Sequence, residues 1–271
     1  MPVQLWQIRK RSASCRCDGG EDLMKQKALF FDIDGTLLSE ITNEIPESAK
    51  KALKQAKEKG HLLFINTGRT ASSIPPELRR MPFDGFLCGC GIWGDFHDEV
   101  FYEIHLSEKR REEIIKKAFA CNVDMIFEGV EDVYYSTRTS RFDGLENTRR
   151  YMADKMGLGL ERYVEQGGCE YDKMFVYTDG LSRTQEFLAF VSADMDVIDR
   201  GNGNYECMPK GHSKATIIEE VLKRFGMERE DAYVLGTAAM ICRCLSMRGM
   251  RSPWACMQKF LNHMQNLLQR L

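Results

Sequence analysis

The chain has 271 residues, 43% of them hydrophobic and 29% charged, so it is long enough for one large domain or two smaller ones. Its 38 Lys and Arg residues against 40 Asp and Glu residues give a formal net charge of −2, which argues against nucleic acid or an anionic membrane as the main partner. There is neither a membrane-spanning apolar run nor a signal peptide, and ten cysteines then favour free thiols, so we expect a cytoplasmic protein.

Three apolar segments in the first part of the chain predict a parallel sheet. The run at 27–32 (KALFFD) is continuous, as is typical of a strand buried on both faces. Residues 46–60 predict a helix, because a proline starts a series of good helix formers that ends at a glycine. The segment 61–69 predicts a second buried strand, which completes a βαβ unit, and 83–91 predicts a third strand and a turn.

The middle of the chain alternates helices and strands in an order typical of an α+β domain with an antiparallel sheet. Helices are predicted near 107–120, 145–156 and 183–192, and strands near 123–129, 132–137, 173–179, 195–201 and 205–210. A helix at 213–225 and a strand at 232–236 then return the chain to the first sheet. We therefore expect an α/β fold in which a Rossmann-like parallel-sheet core, 24–106 plus 198–236, carries an inserted α+β domain at 107–197.

Two carboxylates stand at the end of the first predicted strand. Asp32 and Asp34 are separated by one residue and are followed by the turn-forming Gly35. Ligands of open α/β sheets bind beyond the carboxyl ends of the strands, so both carboxylates are placed at the expected site. Two such close carboxylates repel each other unless a proton or a cation is shared between them, which implies a metal ion or a shared proton. The alternative is an ordinary Asp-Gly turn.

The segment DIDGTL at 32–37, which follows an apolar strand, resembles the first motif of the haloacid-dehalogenase-like hydrolases. Thr67 in INTGR and Lys214 in GHSKATII stand where that superfamily carries its Thr or Ser and its Lys. The domain inserted after the third strand resembles the large α/β cap (C2B type) of the Cof-type branch. The resemblance extends over residues 27–236.

This resemblance implies a phosphoryl-transfer site. Asp32 would be the nucleophile that forms an aspartyl-phosphate, and Asp34 would be the general acid and base. Thr67, Gly68 and Lys214 would bind the phosphoryl oxygens. Mg²⁺ would be held by the carboxylate of Asp32 and the backbone carbonyl of Asp34, together with a later carboxylate.

Several of these positions have alternatives. A threonine such as Thr67 also ends strands for purely structural reasons. Lys210 is close enough in sequence to compete with Lys214, although GxxK at the helix start fits the family, so the resemblance favours Lys214. Arg69 is either a surface residue or a partner of the motif loop. Cys90 stands where the branch often has Asn, so it cannot supply amide hydrogen bonds. The five histidines show no metal-ligand spacing.

The carboxylate-bearing fourth motif of the family, GDxxND, is missing after the last predicted strand. The chain reads GTAAMI at 236–241, and residues 237–271 contain no Asp or Glu. Codons for GTAAMI can encode GDSGND in another reading frame, so we hypothesise that 237–271 is an aberrant, frameshifted tail. Residues 1–23 are expected to be a disordered or non-native leader, because Met24 directly precedes the first strand.

These features lead us to expect a Mg²⁺-dependent phosphatase that acts on small phosphorylated metabolites such as sugar phosphates, with no nucleic-acid or membrane partner. Loss of the fourth motif would impair this activity. A catalytically inactive phosphate-binding remnant is the alternative. A phosphomutase is a third hypothesis, and nothing in the sequence selects it.

Overall fold

A computed structural model describes residues 25–38 and 44–236, and the structural statements below concern these residues. The leader expected at 1–23 and the tail expected at 237–271 lie outside the described residues. Both therefore stay predictions, as does the frameshift hypothesis.

The described residues form eleven strands and six α-helices. The strands are β1 (Ala28–Phe31), β2 (Leu62–Asn66), β3 (Gly85–Cys88), β4 (Trp93–Phe96), β5 (Glu99–Glu103), β6 (Asp124–Glu128), β7 (Val133–Tyr134), β8 (Lys173–Tyr177), β9 (Met195–Gly201), β10 (Asn204–Pro209) and β11 (Ala232–Leu235). The helices are α1 (Glu47–Glu58), α2 (Pro76–Arg79), α3 (Glu108–Cys121), α4 (Asp143–Tyr151), α5 (Thr184–Val191) and α6 (Lys214–Phe225). Within the described ranges, no helix is both long and apolar enough to cross a membrane.

The first sheet has six strands in the order β11-β1-β2-β3-β4-β5. The first four are mutually parallel, and β4 and β5 add to them in antiparallel fashion. Side chains from β1 are buried on both faces: Leu29 packs with Leu53 of α1 on one face, and Phe30 packs with Ile217 of α6 on the other. The predicted α/β core is confirmed, because only a sheet covered on both sides buries continuous apolar strands in this way.

The hairpin formed by β4 and β5 adds two strands that the sequence did not indicate. Its turn consists of His97 and Asp98, which have positive φ angles of 51° and 64°. Two successive left-handed residues make the type I′ turn that joins tight hairpins, and the usual signal for that turn is an Asn-Gly or Asp-Gly pair. The hairpin escaped prediction because no glycine marks its turn.

The second sheet is antiparallel throughout and has the order β7-β6-β8-β10-β9. Residues of α3 and α5 pack with Met125 and Phe127 on one face, and Leu145 of α4 packs with Ile126 on the other. The predicted α+β insertion is thereby confirmed.

The C-terminal boundary of this inserted unit differs from the expected boundary at residue 197. Residue 198 falls inside β9, and both β9 and β10 pair within the second sheet. Strands that share the backbone hydrogen bonds of one sheet belong to one folding unit. We therefore propose that the inserted unit runs from α3 to Pro209.

Two short segments connect the units, residues 104–107 between β5 and α3 and residues 210–213 between β10 and α6. The first is held by the buried carboxylate of Asp172. This carboxylate accepts a hydrogen bond from the backbone N–H of Leu106 (2.7 Å), and its Oδ2 lies 2.7 Å from Nδ1 of His105. Asp172 lies directly before β8, so these contacts attach the segment 104–107 to the second sheet.

Candidate active site

The carboxyl ends of β1 and β2 and the start of α6 meet at one edge of the first sheet. A pocket of about 500 Å³ opens there, between this edge and the second sheet. The predicted site residues that line it are Asp32, Asp34, Gly68 and Lys214. The second sheet contributes Glu128, Lys173, Phe175, Ile198, Arg200 and Glu206.

Asp32 lies directly after β1 and is 6% exposed. One of its oxygens, Oδ1, accepts a hydrogen bond from the N–H of Ile33 (2.9 Å), and Oδ2 lies 2.8 Å from Nζ of Lys214. The chain can turn sharply at this point because Gly35 adopts a left-handed φ of 68°, which favours glycine. The structure thus places a carboxylate and an ammonium side by side at the pocket floor.

Asp34 lies in the same turn and is paired with Arg69. The guanidinium donates from Nε to Oδ2 (3.0 Å) and from Nη2 to Oδ1 (2.7 Å). Burial of the guanidinium opposes its charge, but the hydrogen bonds and charge of Asp34 outweigh burial and raise the pKa of Arg69 above its ordinary value. Of the two alternatives for Arg69, the structure therefore favours the partner of the motif loop.

Lys214 is the first residue of α6, and the helix start is well defined. Ser213 caps it: its hydroxyl accepts from the N–H of Thr216 (3.2 Å), and its own N–H donates to the Thr216 hydroxyl (2.9 Å). Lys210, the rival lysine, instead donates from Nζ to the carbonyl of Ser192 (2.5 Å). Of these two lysines, Lys214 is the one that contacts Asp32.

Of the two remaining predicted residues, Gly68 lines the pocket and Thr67 does not. Thr67 is fully buried, and its hydroxyl accepts a hydrogen bond from the N–H of Arg69 (3.2 Å) behind the pocket surface. Gly68 lines the pocket, and a Cβ on it would lie 3.2 Å from Sγ of Cys90 and 3.8 Å from Oε1 of Glu206. The pocket therefore presents the backbone at residue 68, and the phosphate-binding role of Thr67 stays a prediction.

The side of the pocket formed by the second sheet carries four linked charges, here called the roof cluster: Glu128, Lys173, Glu206 and Arg200. Nζ of Lys173 lies 2.5 Å from Oε2 of Glu128 and 3.2 Å from Oε1 of Glu206. Arg200 donates from Nε to Oε2 of Glu206 (2.9 Å). Burial alone would raise the pKa of Glu206, but the charges of Lys173 and Arg200 lower it to about 2. No local pattern indicates this cluster, because its contacts join residues distant in the chain.

Cys90 lies between the two sheets, where the resemblance would place an asparagine. It is 9% exposed, has a left-handed φ of 59°, and its Sγ lies 3.8 Å from Oε1 of Glu206. Asparagine tolerates this backbone conformation better than most residues, which explains the expected residue type. Burial raises the pKa of the Cys90 thiol to about 11, so it stays protonated near neutral pH and is not a reactive nucleophile.

The donors at this edge determine which metal ion could fit. Among the described residues, no three His, Cys, Asp or Glu side chains form a metal-binding group. The hard oxygen donors that the resemblance implies are the carboxylate of Asp32 and the backbone carbonyl of Asp34, and residues 237–271 offer no further Asp or Glu. Mg²⁺ commonly keeps several waters and binds through one or two carboxylates plus substrate phosphate. The residues therefore fit a Mg²⁺ ion that has few protein ligands and keeps several waters. They do not form a site in which protein atoms surround the ion.

Comparison with known proteins gives three relevant similarities. A family model described as haloacid dehalogenase-like hydrolase matches residues 29–239. The Bacillus subtilis (strain 168) protein named "Putative phosphatase YkrA" is 26% identical over 215 residues, which are 79% of this chain and 80% of that protein. A solved structure of a HAD subclass IIB sugar phosphatase superposes with a TM-score of 0.62 at 25% identity, covering 77% of this chain and 80% of that one.

A Streptococcus pyogenes serotype M6 protein named "Putative bifunctional phosphatase/peptidyl-prolyl cis-trans isomerase" is 40% identical over 220 residues. These are 78% of this chain but only 44% of that longer protein. The similarity therefore concerns less than half of the streptococcal protein.

Proposed function

Because this chain belongs to the haloacid dehalogenase-like hydrolases, we propose that it is a Mg²⁺-dependent phosphatase of small phosphorylated metabolites. The observation that carries the proposal is the convergence of Asp32, Asp34 and Lys214 on one pocket, with Nζ of Lys214 2.8 Å from Oδ2 of Asp32. Sugar phosphates are the proposed substrate class, which is supported by the similarity to a sugar phosphatase.

The proposed mechanism uses the chain's own residues in two steps. A carboxylate oxygen of Asp32 attacks phosphorus, the bond to the ester oxygen breaks, and Asp34 gives its proton to the leaving alcohol. Asp34 then takes a proton from a water that attacks the aspartyl-phosphate, which releases inorganic phosphate and restores Asp32. Throughout, Lys214 and the backbone at Gly68 bind the phosphoryl oxygens.

A bound Mg²⁺ would be held by the carboxylate of Asp32 and the backbone carbonyl of Asp34, and it would neutralise charge on the phosphoryl group. The inserted unit would act as a cap. Its roof cluster faces the pocket floor, so the leaving group of a substrate would be held between the two sheets and away from bulk water.

A second candidate function is favoured by the donor set. The described residues offer no third metal-binding side chain, and residues 237–271 contain no carboxylate side chain. A chain that binds Mg²⁺ poorly would still bind phosphate through Lys214. It would then be a phosphate-binding protein with little turnover.

The deciding experiment measures hydrolysis of p-nitrophenyl phosphate with and without Mg²⁺, and binding of inorganic phosphate by calorimetry. Magnesium-dependent turnover that D32N abolishes supports the phosphatase. Phosphate binding without turnover, lost in K214M, supports the second candidate. A chain that neither turns over the ester nor binds phosphate contradicts both.

The triple variant T237D/M240N/I241D tests the missing motif directly, because it restores the order GDxxND. We expect it to raise the Mg²⁺-dependent rate by at least tenfold, since added carboxylates hold the ion more tightly. The matched control is T237N/M240N/I241N, which changes the same positions without adding charge. Equal rates of the two variants would show that the missing carboxylates do not limit activity.

A further inference from the structure

Asn66 is a buried polar residue at the end of an otherwise apolar strand. It is the last residue of β2, whose sequence is LLFIN, and its exposure is 0%. Its amide nitrogen Nδ2 donates a hydrogen bond to the backbone carbonyl of Lys214 at 2.8 Å. Its amide oxygen Oδ1 has no hydrogen-bond partner.

An unpaired buried acceptor costs stability, and an apolar residue at this position would avoid that cost. Only the amide nitrogen can pair with a carbonyl oxygen, so the orientation of the side chain is set by this one contact. What Asn66 contributes is therefore the bond to Lys214.

This bond holds the start of α6. Lys214 is the first residue of that helix, and its ammonium lies 2.8 Å from Oδ2 of Asp32. The turn at Gly91 approaches the same point, since a Cβ on Gly91 would lie 2.1 Å from the carbonyl oxygen of Ser213. The helix start is thus fixed by a hydrogen bond from β2 and by close packing against a glycine.

We propose that Asn66 is a positioning residue: by anchoring the backbone of Lys214 to the end of β2, it sets the ammonium of Lys214 against Asp32. The importance of this for catalysis rests on the proposed function, but the anchoring does not. The bond thereby holds the end of β2 and the start of α6, which are distant in sequence, in a fixed relative position beside the proposed phosphate site.

The first test measures acetylation of Lys214 by acetic anhydride relative to Lys210, read by mass spectrometry on the full chain. In N66L the anchoring bond is lost, and we expect the Lys214 to Lys210 ratio to rise about fivefold, the effect of one hydrogen bond. The control is D84A, which removes another buried polar side chain. Asp84 directly precedes β3, whereas Asn66 ends the neighbouring parallel strand β2, so the two residues lie at opposite edges of the first sheet. We expect D84A to destabilise the protein without changing the ratio.

The second test uses N66D, which keeps the shape of the side chain. A protonated carboxyl can donate to the Lys214 carbonyl and an ionised one cannot, so phosphate affinity should match that of the unsubstituted chain at low pH and diverge as the pH rises. Acetylation needs an unprotonated amine, so the labelling ratio of N66D is read at alkaline pH, where we expect it to exceed that of the unsubstituted chain. A merely structural role of Asn66 predicts no such pH-dependent recovery. Ratios unchanged in both N66L and N66D would overturn the proposal.

Inorganic phosphate binding separates this proposal from the proposed function. We expect N66L to weaken phosphate binding about fivefold and D84A to leave it unchanged. If the unsubstituted chain binds no phosphate, the proposed function fails, while the labelling ratio still decides the role of Asn66. If phosphate binds equally well to N66L, the positioning role is overturned.

Discussion

Arg69 donates one hydrogen bond to each carboxylate oxygen of Asp34, at 3.0 Å from Nε and at 2.7 Å from Nη2. A bidentate pair fixes the plane of a carboxylate as well as its position. The side chain of Asp34 is 60% exposed, so little else restrains it. Under the proposed function, the arginine would set the direction in which Asp34 exchanges a proton with a bound ester.

The variant R69K tests this relationship. Lysine keeps the charge but cannot form the planar pair, so we expect kcat for phenyl phosphate to fall about tenfold, a part of the usual general-acid contribution. The loss should be smaller for p-nitrophenyl phosphate, whose leaving group needs less protonation. The exposed Arg80 provides a control, and R80K should behave as the unsubstituted chain. Equal losses on both esters would contradict an orienting role.

Asp84 is expected to be a main contributor to the stability of the first sheet. Its buried carboxylate accepts from the N–H of Leu63 (2.8 Å) and forms an ion pair with Lys57. D84A leaves that N–H unpaired, so we expect the free energy of unfolding to fall by about 2–4 kcal/mol in urea titrations. The matched control is K54M, which breaks the exposed ion pair of Lys54 with Glu58 and should cost about 1 kcal/mol or less. Similar costs for the two variants would contradict this assignment.

Acid should weaken the inserted unit through Glu206. Its pKa is lowered from 4.5 to about 2, so its stabilisation is fully present above pH 4.5 and is lost as the pH falls towards 2. We expect E206Q to be less stable by about 3 kcal/mol at pH 7 and the difference to vanish near pH 2. The exposed Glu112 gives the control E112Q, which should follow the unsubstituted chain. A pH-independent difference would count against the roof cluster.

His105 should titrate above its ordinary value. The hydrogen bond to Asp172 raises the pKa of His105 above 6.5, against the opposing effect of burial. Its stabilisation is therefore present below pH 6.5 and is lost as the pH rises through the raised pKa. Nuclear magnetic resonance titration should show this, and D172N should lower the value. His212, whose pKa burial lowers, should not respond to D172N; a coupled change at His212 would point to a global rearrangement instead.

Local patterns predicted much of this molecule. Helix α1, which ends at Glu58 shortly before Gly60, and the strands on either side of it follow from apolar runs and capping residues, which are read within a few positions of the chain. Asp32 and Lys214 could be placed because each stands directly at the end of such an element. Each of these signals is local, and the parallel sheet then brings them to one edge.

Other features depend on contacts that no local pattern encodes. Lys173 of β8 contacts Glu128 of β6 on one side and Glu206 of β10 on the other. The roof cluster can therefore be predicted only once the strand order is known. In the sequence Asn66 is an ordinary strand end, because its partner, the backbone carbonyl of Lys214, lies 148 residues later in the chain. In both cases the information lies in the pairing of distant segments.

Gly68 limits the size of the side chains that positions 68 and 90 can hold together. A side chain there would start 3.2 Å from Sγ of Cys90, closer than most Cβ atoms tolerate, and 3.8 Å from Oε1 of Glu206. A larger residue at 68 therefore requires Sγ of Cys90 to move or a smaller residue at 90, whereas the distance to Glu206 is an ordinary contact. Among natural variants of this chain, a side chain at 68 should therefore occur together with a smaller residue at 90, whereas position 90 alone is free to become smaller.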